Sequence, residues 1–109
     1  MAEYPFTLDQ IVGWFRAKQA AIAGSEVSIA EIRERPEYLP AAAADFDGVN
    51  AIGRISGWVS GEFDFEAIRV SDGENVFWRH VDADSLEALE EAFADLLRSL
   101  RASGAVRSV

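Results

Sequence analysis

The sequence predicts an α+β domain: an antiparallel β-meander of four to five strands with an N-terminal and a C-terminal helix packed on one face. Three runs of strand-like residues lie between residues 52 and 81, separated by Ser60-Gly61 and Asp72-Gly73. Glycine can adopt the positive φ that tight hairpin turns require, so both dipeptides indicate turns. An amphipathic helical pattern lies on each side of this meander. We expect residues 1–109 to form a single domain, because a chain of 109 residues can bury one hydrophobic core.

The first helix is predicted to begin after Thr7. Thr7 and Gln10 have the spacing of a capping box, and Phe6 and Ile11 occupy the positions of a hydrophobic staple. An apolar stripe follows, interrupted only by a glutamine, and consists of Leu8, Ile11, Val12, Phe15 and Ile22. Gly24 is expected to end this helix, since glycine is the residue most suited to the position after a helix.

The segment between the first helix and the meander is harder to interpret. Residues 27–33 alternate loosely and are interpreted as an edge strand, and residues 34–40 as a connection, because two prolines cannot continue a central strand. Residues 41–46 begin with four alanines, which favour helix. The segment is short, follows Pro40 and ends in a turn signature at 45–48, so we favour a short strand.

The last helix is predicted from a strict apolar repeat. Asp84 can cap it and Glu87 can complete a capping box. The stripe consists of Leu86, Leu89, Phe93, Leu96, Leu97 and Leu100. Six acids and no base lie in residues 82–97, and arginines follow in the last turn, an order that the helix dipole favours. Gly104 is expected to stop the helix.

Composition limits the classes of partner. The formal net charge of −9 disfavours nucleic acid and anionic membranes, which are polyanions, and permits a basic protein partner. The absence of cysteine excludes disulfides, thiol chemistry and cysteine metal sites. The first residues do not resemble a signal peptide, and no apolar run is long enough to span a bilayer. We therefore expect a cytoplasmic protein.

Few residues suggest chemistry. His80 and Asp82 could ligate a metal or act as an acid–base pair, but one histidine and one neighbouring acid do not make a site. Asp64 and Glu66 are paired carboxylates, yet glycoside hydrolysis needs carboxylates opposed across a cleft. The glycines of the meander lie within a strand and do not form a phosphate-binding loop. We expect no catalytic residue, no metal and no cofactor, and hence no enzyme.

Strand register sorts the side chains of the meander into two faces. If both turns are two-residue loops, Trp58 faces Phe63 across the first hairpin. Glu66 then faces Arg79 across the second. The face expected beneath the helices carries Trp58, Phe63, Phe65, Val76 and Trp78. The buried core should accordingly include Trp58, Phe65, Trp78, Leu89, Phe93 and Leu96. A bulge near Ala67 would change this assignment.

The opposite face is expected to carry Ile55, Val59, Asp64, Glu66, Ile68, Phe77 and Arg79. A mixture of apolar and charged side chains on an uncovered sheet face is typical of a recognition surface. The two carboxylates of the central strand, Asp64 and Glu66, are expected at its centre.

The meander resembles the TriTu family of small bacterial immunity proteins. The residues that carry the resemblance are Gly53, Arg54, Ile55, Trp58, Ser60, Gly61, Glu62, Asp64, Glu66, Trp78 and His80. The order of elements is also similar over residues 7–101, with a helix that carries Trp14-Phe15 first and a leucine-rich acidic helix last. The chain departs from the family pattern at Gly57, where a β-branched residue is usual, and at Val59 and Arg79, where acids are common.

The resemblance implies a protein that protects a bacterium from its own antibacterial toxin. The family's namesake neutralises an Rhs-type effector toxin, associated with type VI secretion, that ADP-ribosylates elongation factor Tu. Inhibition by direct binding and occlusion of the toxin's active site is implied. The residues expected to bind the toxin are Ile55, Val59, Glu62, Asp64, Glu66, Phe77 and Arg79. The partner is then a cognate toxin, expected to be basic, and the free protein is expected to be a monomer or a weak homodimer.

Two other functions remain open on sequence alone. One is a small acidic adaptor or regulatory domain unrelated to toxins, which a toxin gene immediately upstream would argue against. The other is a hydrolase that reverses ADP-ribosylation, which would normally need a metal-binding acid cluster in a cleft, and the sequence shows no such cluster.

Overall fold

The computed structural model describes residues 3–102 and confirms the α+β fold. Five strands form one antiparallel sheet in sequential order, β1-β2-β3-β4-β5. The elements are α1 (Leu8–Ile22), β1 (Ser28–Arg35), β2 (Ala41–Asp47), β3 (Ala51–Trp58), β4 (Glu62–Arg69), β5 (Asn75–Asp82), a 3-10 helix (Leu86–Leu89) and α2 (Glu90–Ala102). Both helices pack on the same face, α1 mainly over β1 and β2 and α2 mainly over β3 to β5. Neither of the two helices described lies over the other face of the sheet.

Helix α1 begins and ends as the sequence predicts. The Thr7 hydroxyl accepts a hydrogen bond from the Gln10 amide at 3.1 Å, and the Gln10 side chain accepts one from the Thr7 amide at 2.9 Å. The helix ends at Ile22, and Gly24 follows with a φ of +85°. Ile11 and Phe15 are fully buried against the sheet.

Residues 41–46 belong to a strand, which settles the alternative between strand and helix. Strand β2 presents Ala42, Ala44 and Phe46 to the core and its remaining side chains to the opposite face. Strand β1 lies at the edge of the sheet, as expected.

Helix α2 begins later than predicted. Asp84 does not cap it: a 3-10 turn comes first, with Ser85 at its N-cap and no side-chain capping bond, and the α-helix starts at Glu90. The Ala83 amide is still bonded to the Gly61 carbonyl at 2.7 Å, so the chain must leave the sheet in a tight turn. The predicted apolar stripe is confirmed, with Leu89, Phe93, Leu96 and Leu100 buried. The predicted stop at Gly104 lies outside the described residues.

The β3–β4 turn has three residues, not two, and this changes the register. The Gly61 amide donates to the Trp58 carbonyl at 2.9 Å, and Gly61 has a φ of +100°. This is the pattern of a three-residue loop that ends in a left-handed glycine. Phe63 therefore pairs with Gly57 instead of Trp58. A shift of one residue exchanges the two faces of a strand, so the predicted faces of β3 are reversed.

The β4–β5 turn also differs from the prediction. The Arg69 amide donates to the Glu74 carbonyl at 2.9 Å, which closes a four-residue loop over residues 70–73. The register then shifts at a bulge beside Ala67. Glu66 consequently pairs with Trp78 instead of Arg79, and the predicted faces of β5 are reversed from Phe77 onward.

These shifts decide which predictions of burial are correct. Phe65, Leu89, Phe93 and Leu96 are buried as predicted, and Val76 packs against the core. The predicted burial of Trp58 and Trp78 is wrong. Trp58 is half-buried and Trp78 is 62% exposed, and both lie on the uncovered face. Ile55 and Val59 take their place in the core.

Position 57 requires glycine because the ring of Phe63 packs directly over it. A Cβ at Gly57 would overlap that ring, which is fully buried and packs edge-on against Phe6 at 5.6 Å. We expect Gly57→Ala to lower the free energy of unfolding by about 1–3 kcal/mol, the usual effect of overpacking a core.

The matched control is Gly13→Ala in α1, where an added Cβ meets nothing within 4 Å. This variant should gain about 0.5–1 kcal/mol from helix propensity. Urea unfolding of both variants measures the difference. Equal effects at the two positions would show that the Phe63 ring moves aside freely.

Candidate functional site

The uncovered side of the sheet is the candidate site, and we call it the open face. Its outward side chains come from all five strands. They include Glu31, Arg33, Arg35, Ala41, Ala43, Asp45, Asp47, Ile52, Arg54, Ser56, Trp58, Glu62, Asp64, Glu66, Ile68, Trp78, His80 and Asp82. Charged groups of both signs are interspersed with two tryptophans, which is the composition of a protein-recognition surface.

His80 joins two carboxylates on this face. Its Nδ1 lies 2.7 Å from Asp64 Oδ1, and its Nε2 lies 3.1 Å from Asp82 Oδ1. An ionised carboxylate only accepts hydrogen bonds, and a neutral imidazole can donate from only one nitrogen. The protonated ring satisfies both carboxylates. The hydrogen bonds to Asp64 and then Asp82 therefore raise the pKa of His80 above its ordinary value.

This cluster does not have the arrangement of a metal centre. Both ring nitrogens of His80 already face carboxylates, and no group of three potential ligands within residues 3–102 is placed to hold a metal ion. A protonated imidazole also cannot ligate, because ligation needs a free ring nitrogen. The His80 cluster is therefore a group of charged side chains on the open face.

Asp45 joins two arginines beside this cluster. Arg54 Nε donates to Asp45 Oδ1 at 2.7 Å, and Arg33 Nη2 lies 2.9 Å from Asp45 Oδ2. The hydrogen bond to Asp45 is the main reason that the pKa of Arg54 is raised, and the nearby charge of Glu66 adds to it. Arg33 and Arg54 are thereby both engaged with Asp45 on the open face.

Glu66 lies opposite Arg54 of β3 and its charge acts on that guanidinium. Its carboxylate nevertheless forms no hydrogen bond and no contact ion pair with any residue from 3 to 102. Across the strand it faces Trp78, a large apolar side chain that is 62% exposed. Tryptophan is among the residues most enriched at binding hot spots. A carboxylate without a hydrogen-bond partner therefore lies beside an exposed tryptophan on the open face.

The open face contains only part of the predicted site. Glu62, Asp64 and Glu66 lie there as expected. Ile55 and Val59 do not: they are 0% and 3% exposed in the core. The reversed registers explain this difference, because the prediction assigned the faces of β3 from a two-residue loop.

Phe77 and Arg79 also lie on the helix-covered side. Arg79 forms an ion pair with Asp95 of α2 at 2.7 Å and stands 5.1 Å from the centre of the Phe77 ring. The cross-strand pair of Glu66 with Arg79, which the predicted register implied, does not form. Arg79 instead links β5 to α2, so its contribution is to the fold.

The sequence interpretation missed Trp78, Trp58, Arg54 and His80 as members of the face. Tryptophan on an alternating strand is ordinarily assigned to the core, and only the register shows that these two point outward. The signal that could have found Trp58 and Arg54 is Val59-Ser60-Gly61, which fits a three-residue loop with its last residue in the left-handed region as well as it fits a two-residue turn. The faces of Trp78 and His80 depend instead on the β4–β5 loop and the bulge beside Ala67.

Two shallow depressions mark the open face. One, of about 460 Å³, is lined by Asp45, Asp47, Ile52, Arg54, Glu66 and Ile68 among others. The other, of about 350 Å³, has side chains from Arg33, Arg35, Ala41, Ala43, Ser56 and Trp58 in its lining. Together they extend from β1 to β4, so the open face has depressions into which side chains of a partner could fit.

The covered side is held by contacts between the helices. Glu90 of α2 accepts hydrogen bonds from Trp14 Nε1 at 3.0 Å and from Lys18 Nζ at 2.5 Å. The Lys18 ammonium also lies 4.8 Å from the centre of the Phe93 ring. Burial alone would raise the pKa of Glu90, but these donors outweigh it and the pKa is lowered. Glu90 is thus engaged within the fold.

The His80 cluster gives a testable pH dependence. A raised pKa in the folded state means that protonation stabilises the fold. This stabilisation is full below the unfolded pKa of about 6.5 and is lost as the pH rises through the folded value. We expect the free energy of unfolding of the parent to decline through that range and that of His80→Gln to lack this component.

The same cluster can be followed directly by NMR, because His80 is the single histidine of the chain. Asp64→Asn should lower its titration midpoint more than Asp82→Asn, since the bond to Asp64 is the shorter and the larger cause of the shift. A larger effect of Asp82→Asn would contradict the geometry.

The comparisons with known proteins agree with the resemblance of the meander. The model of a family described as Immunity protein TriTu matches residues 9–99, which includes every strand and most of both helices. A search of curated proteins found no match. Within residues 3–102, neither helix is long and apolar enough to cross a membrane. The match covers far more than half of the sequence, and the chain therefore belongs to the TriTu family of immunity proteins.

Proposed function

We propose that this immunity protein is a non-enzymatic inhibitor that binds its cognate toxin through the open face and occludes the toxin's active site. Membership of the family supports the immunity role and a toxin as the partner. The observation that carries the binding mode is that Glu66, whose carboxylate has no hydrogen-bond partner within residues 3–102, lies beside exposed Trp78 on a sheet face that neither described helix covers.

Binding through this face follows from its physical chemistry. Burying Trp78 against a partner removes apolar surface from water and lowers the local dielectric around Glu66. A lysine or arginine of the toxin that reaches Glu66 then forms a well-shielded ion pair. The net charge of −9 attracts a basic toxin surface at long range and speeds association.

We propose further that the toxin is an Rhs-type ADP-ribosyltransferase effector acting on elongation factor Tu. The resemblance to the family's namesake supports this identity. The charge of the open face is consistent with it, because a site that binds the pyrophosphate of NAD attracts anions. Carboxylates on Glu62, Asp64 and Glu66 would compete for the same positive groups.

Co-expression with the neighbouring toxin gene tests the proposal. The two proteins should co-purify, and modification of elongation factor Tu should stop when the immunity protein reaches molar equivalence with the toxin. Protection at far below equivalence, or removal of ADP-ribose from already modified factor, would show an enzyme. Co-purification with a toxin of another activity would leave the binding mode intact and refute only the toxin's identity.

The free protein is proposed to be a monomer or weak homodimer in the cytoplasm. Its charge supports this, since like-charged surfaces of two copies repel each other. Sedimentation analysis of the free protein at physiological salt measures the state directly.

A further inference from the structure

We infer that the open face carries a second binding element, of opposite charge preference, that accepts an acidic side chain of the toxin. We call it the alanine trough: the depression floored by Ala41 and Ala43 between Arg35 and Trp58. The inference rests on the proposed function, because it specifies what else the same partner must present.

The trough arises from side-chain sizes along one row of the sheet. Ala41 pairs with Arg35 on one side and with Trp58 on the other. A methyl group between two long side chains leaves a hollow, and Ala41 is only 8% exposed although it belongs to the open face. The next outward residue of β2, Ala43, is equally small and lengthens the hollow.

Arg35 is the cation without an ion pair in this hollow; Arg33 and Glu34 also line it, and Glu34 pairs in register with Ala42 of the helix-covered side. Arg33 and Arg54 are both paired with Asp45, whereas Arg35 forms no ion pair with any residue in the described range 3–102. A guanidinium presents a planar fork that matches a carboxylate and is only weakly hydrated. In a chain of net charge −9, an arginine left without an acid is ready for a carboxylate from outside.

The loop beside the trough provides a second, independent observation. Tyr38 lies at the β1–β2 turn, which connects Arg35 to Ala41, and it is fully exposed with a φ of +57°. A positive φ is strained for an aromatic residue, and such strain is common where a residue serves binding. Tyr38 is thereby held out in solvent at the rim, where a bound segment could cover it and exclude water.

The trough and the Glu66 region act as separate elements. Arg35, Ala41 and Trp58 occupy one row of cross-strand partners, and Asp45, Arg54 and Glu66 occupy another, four residues further along β2. Three strand spacings of about 4.8 Å across the sheet and about 13 Å along the strands place the backbones of Arg35 and Glu66 about 20 Å apart. That exceeds the screening length of about 8 Å at physiological salt. A partner must therefore present a base and, at about that distance, an acid.

Such an arrangement would discriminate among toxins. A toxin surface that is basic throughout would meet repulsion from Arg35, and like-charge contacts across an interface suppress wrong partners. The favoured occupant is therefore a carboxylate on an otherwise basic toxin.

The test compares Arg35→Glu with Arg16→Glu in binding to the catalytically inactive cognate toxin. Arg16 is exposed on α1, on the helix side, and it too forms no ion pair with residues 3–102, so the charge change is the same. Arg35→Glu should weaken binding about tenfold or more, whereas Arg16→Glu should bind as the parent does. Equal affinity of the two variants would overturn the inference.

Tyr38→Ala and Glu66→Ala complete the experiment. Tyr38→Ala should weaken binding in the same direction as Arg35→Glu. If Glu66→Ala loses binding while Arg35→Glu and Tyr38→Ala do not, the proposed function stands and the trough is refuted. If none of them loses binding, the open face itself is refuted. If Arg35→Glu only dissolves a homodimer of the free protein and leaves toxin affinity unchanged, the trough is a self-association surface and the inference is wrong.

Discussion

Glu66→Ala is expected to weaken toxin binding by about 2–5 kcal/mol, mostly through faster dissociation. The loss corresponds to roughly 30-fold to several thousand-fold in affinity. The reason is that Trp78 shields the ion pair in the complex, so removal of the carboxylate leaves a toxin cation buried without its partner. Asp64→Ala should also weaken toxin binding, and it removes the carboxylate that is hydrogen-bonded to His80 Nδ1.

The matched control is Glu91→Ala on α2. Glu91 is exposed on the helix side, so the substitution removes the same charge without touching the open face. It should slow association slightly and leave dissociation unchanged. Surface plasmon resonance measures both rates, and circular dichroism checks folding. Binding of Glu66→Ala and Asp64→Ala within twofold of the parent would move the interface to the helices or to the loop over residues 36–40.

Leu96→Ala is expected to lower the free energy of unfolding by about 2–5 kcal/mol. Leu96 is completely buried where α2 packs on the sheet. Its removal loses the transfer free energy of the side chain and leaves a cavity that rigid strands cannot fill. For a domain of this size the loss is a large share of the total stability.

The adjacent Leu97→Ala is the matched control. Leu97 is only partly buried, at the margin of the same core. The same chemical change should therefore cost markedly less. Urea unfolding, with the slope checked for constancy, measures both. A loss below about 0.5 kcal/mol for Leu96→Ala would show that this stripe of the helix does not face the core.

The elements of this fold could be predicted because their signals are local. The capping box of Thr7 and Gln10 defines the start of α1, and the leucine repeat defines α2. Strand β4 was also assigned correctly, since Phe63 and Phe65 alternate with Asp64 and Glu66 within the strand itself. The two acids were therefore placed on the correct face without any knowledge of the turns.

The faces of β3 and β5 depended on turn lengths, and those were not determined by sequence. A glycine at the end of a turn suits both a two-residue and a three-residue loop. One added residue at Val59–Gly61 sent Ile55 inward and Trp58 outward. The bond between His80 and Asp64 follows from the register of β4 with β5, which the four-residue loop and the bulge beside Ala67 determine, so it could not be anticipated.

Contacts between segments that are distant in the sequence could not be predicted either. Trp14 bonds to Glu90, and Arg79 pairs with Asp95. Each pair joins elements whose relative placement emerges only when the helices dock on the sheet. Local periodicity places each residue on a face but does not identify its partner.

The distribution of the three tryptophans has an optical consequence. Trp14 is enclosed between the helices and bonded to Glu90, whereas Trp58 and Trp78 stand on the open face. An indole emits at longer wavelength in water than in an apolar setting. A partner that covers Trp78 shifts the protein's emission to shorter wavelength, while detachment of the helices exposes Trp14 and shifts it the other way. The direction of the wavelength shift in intrinsic tryptophan fluorescence thus distinguishes binding at the open face from unfolding.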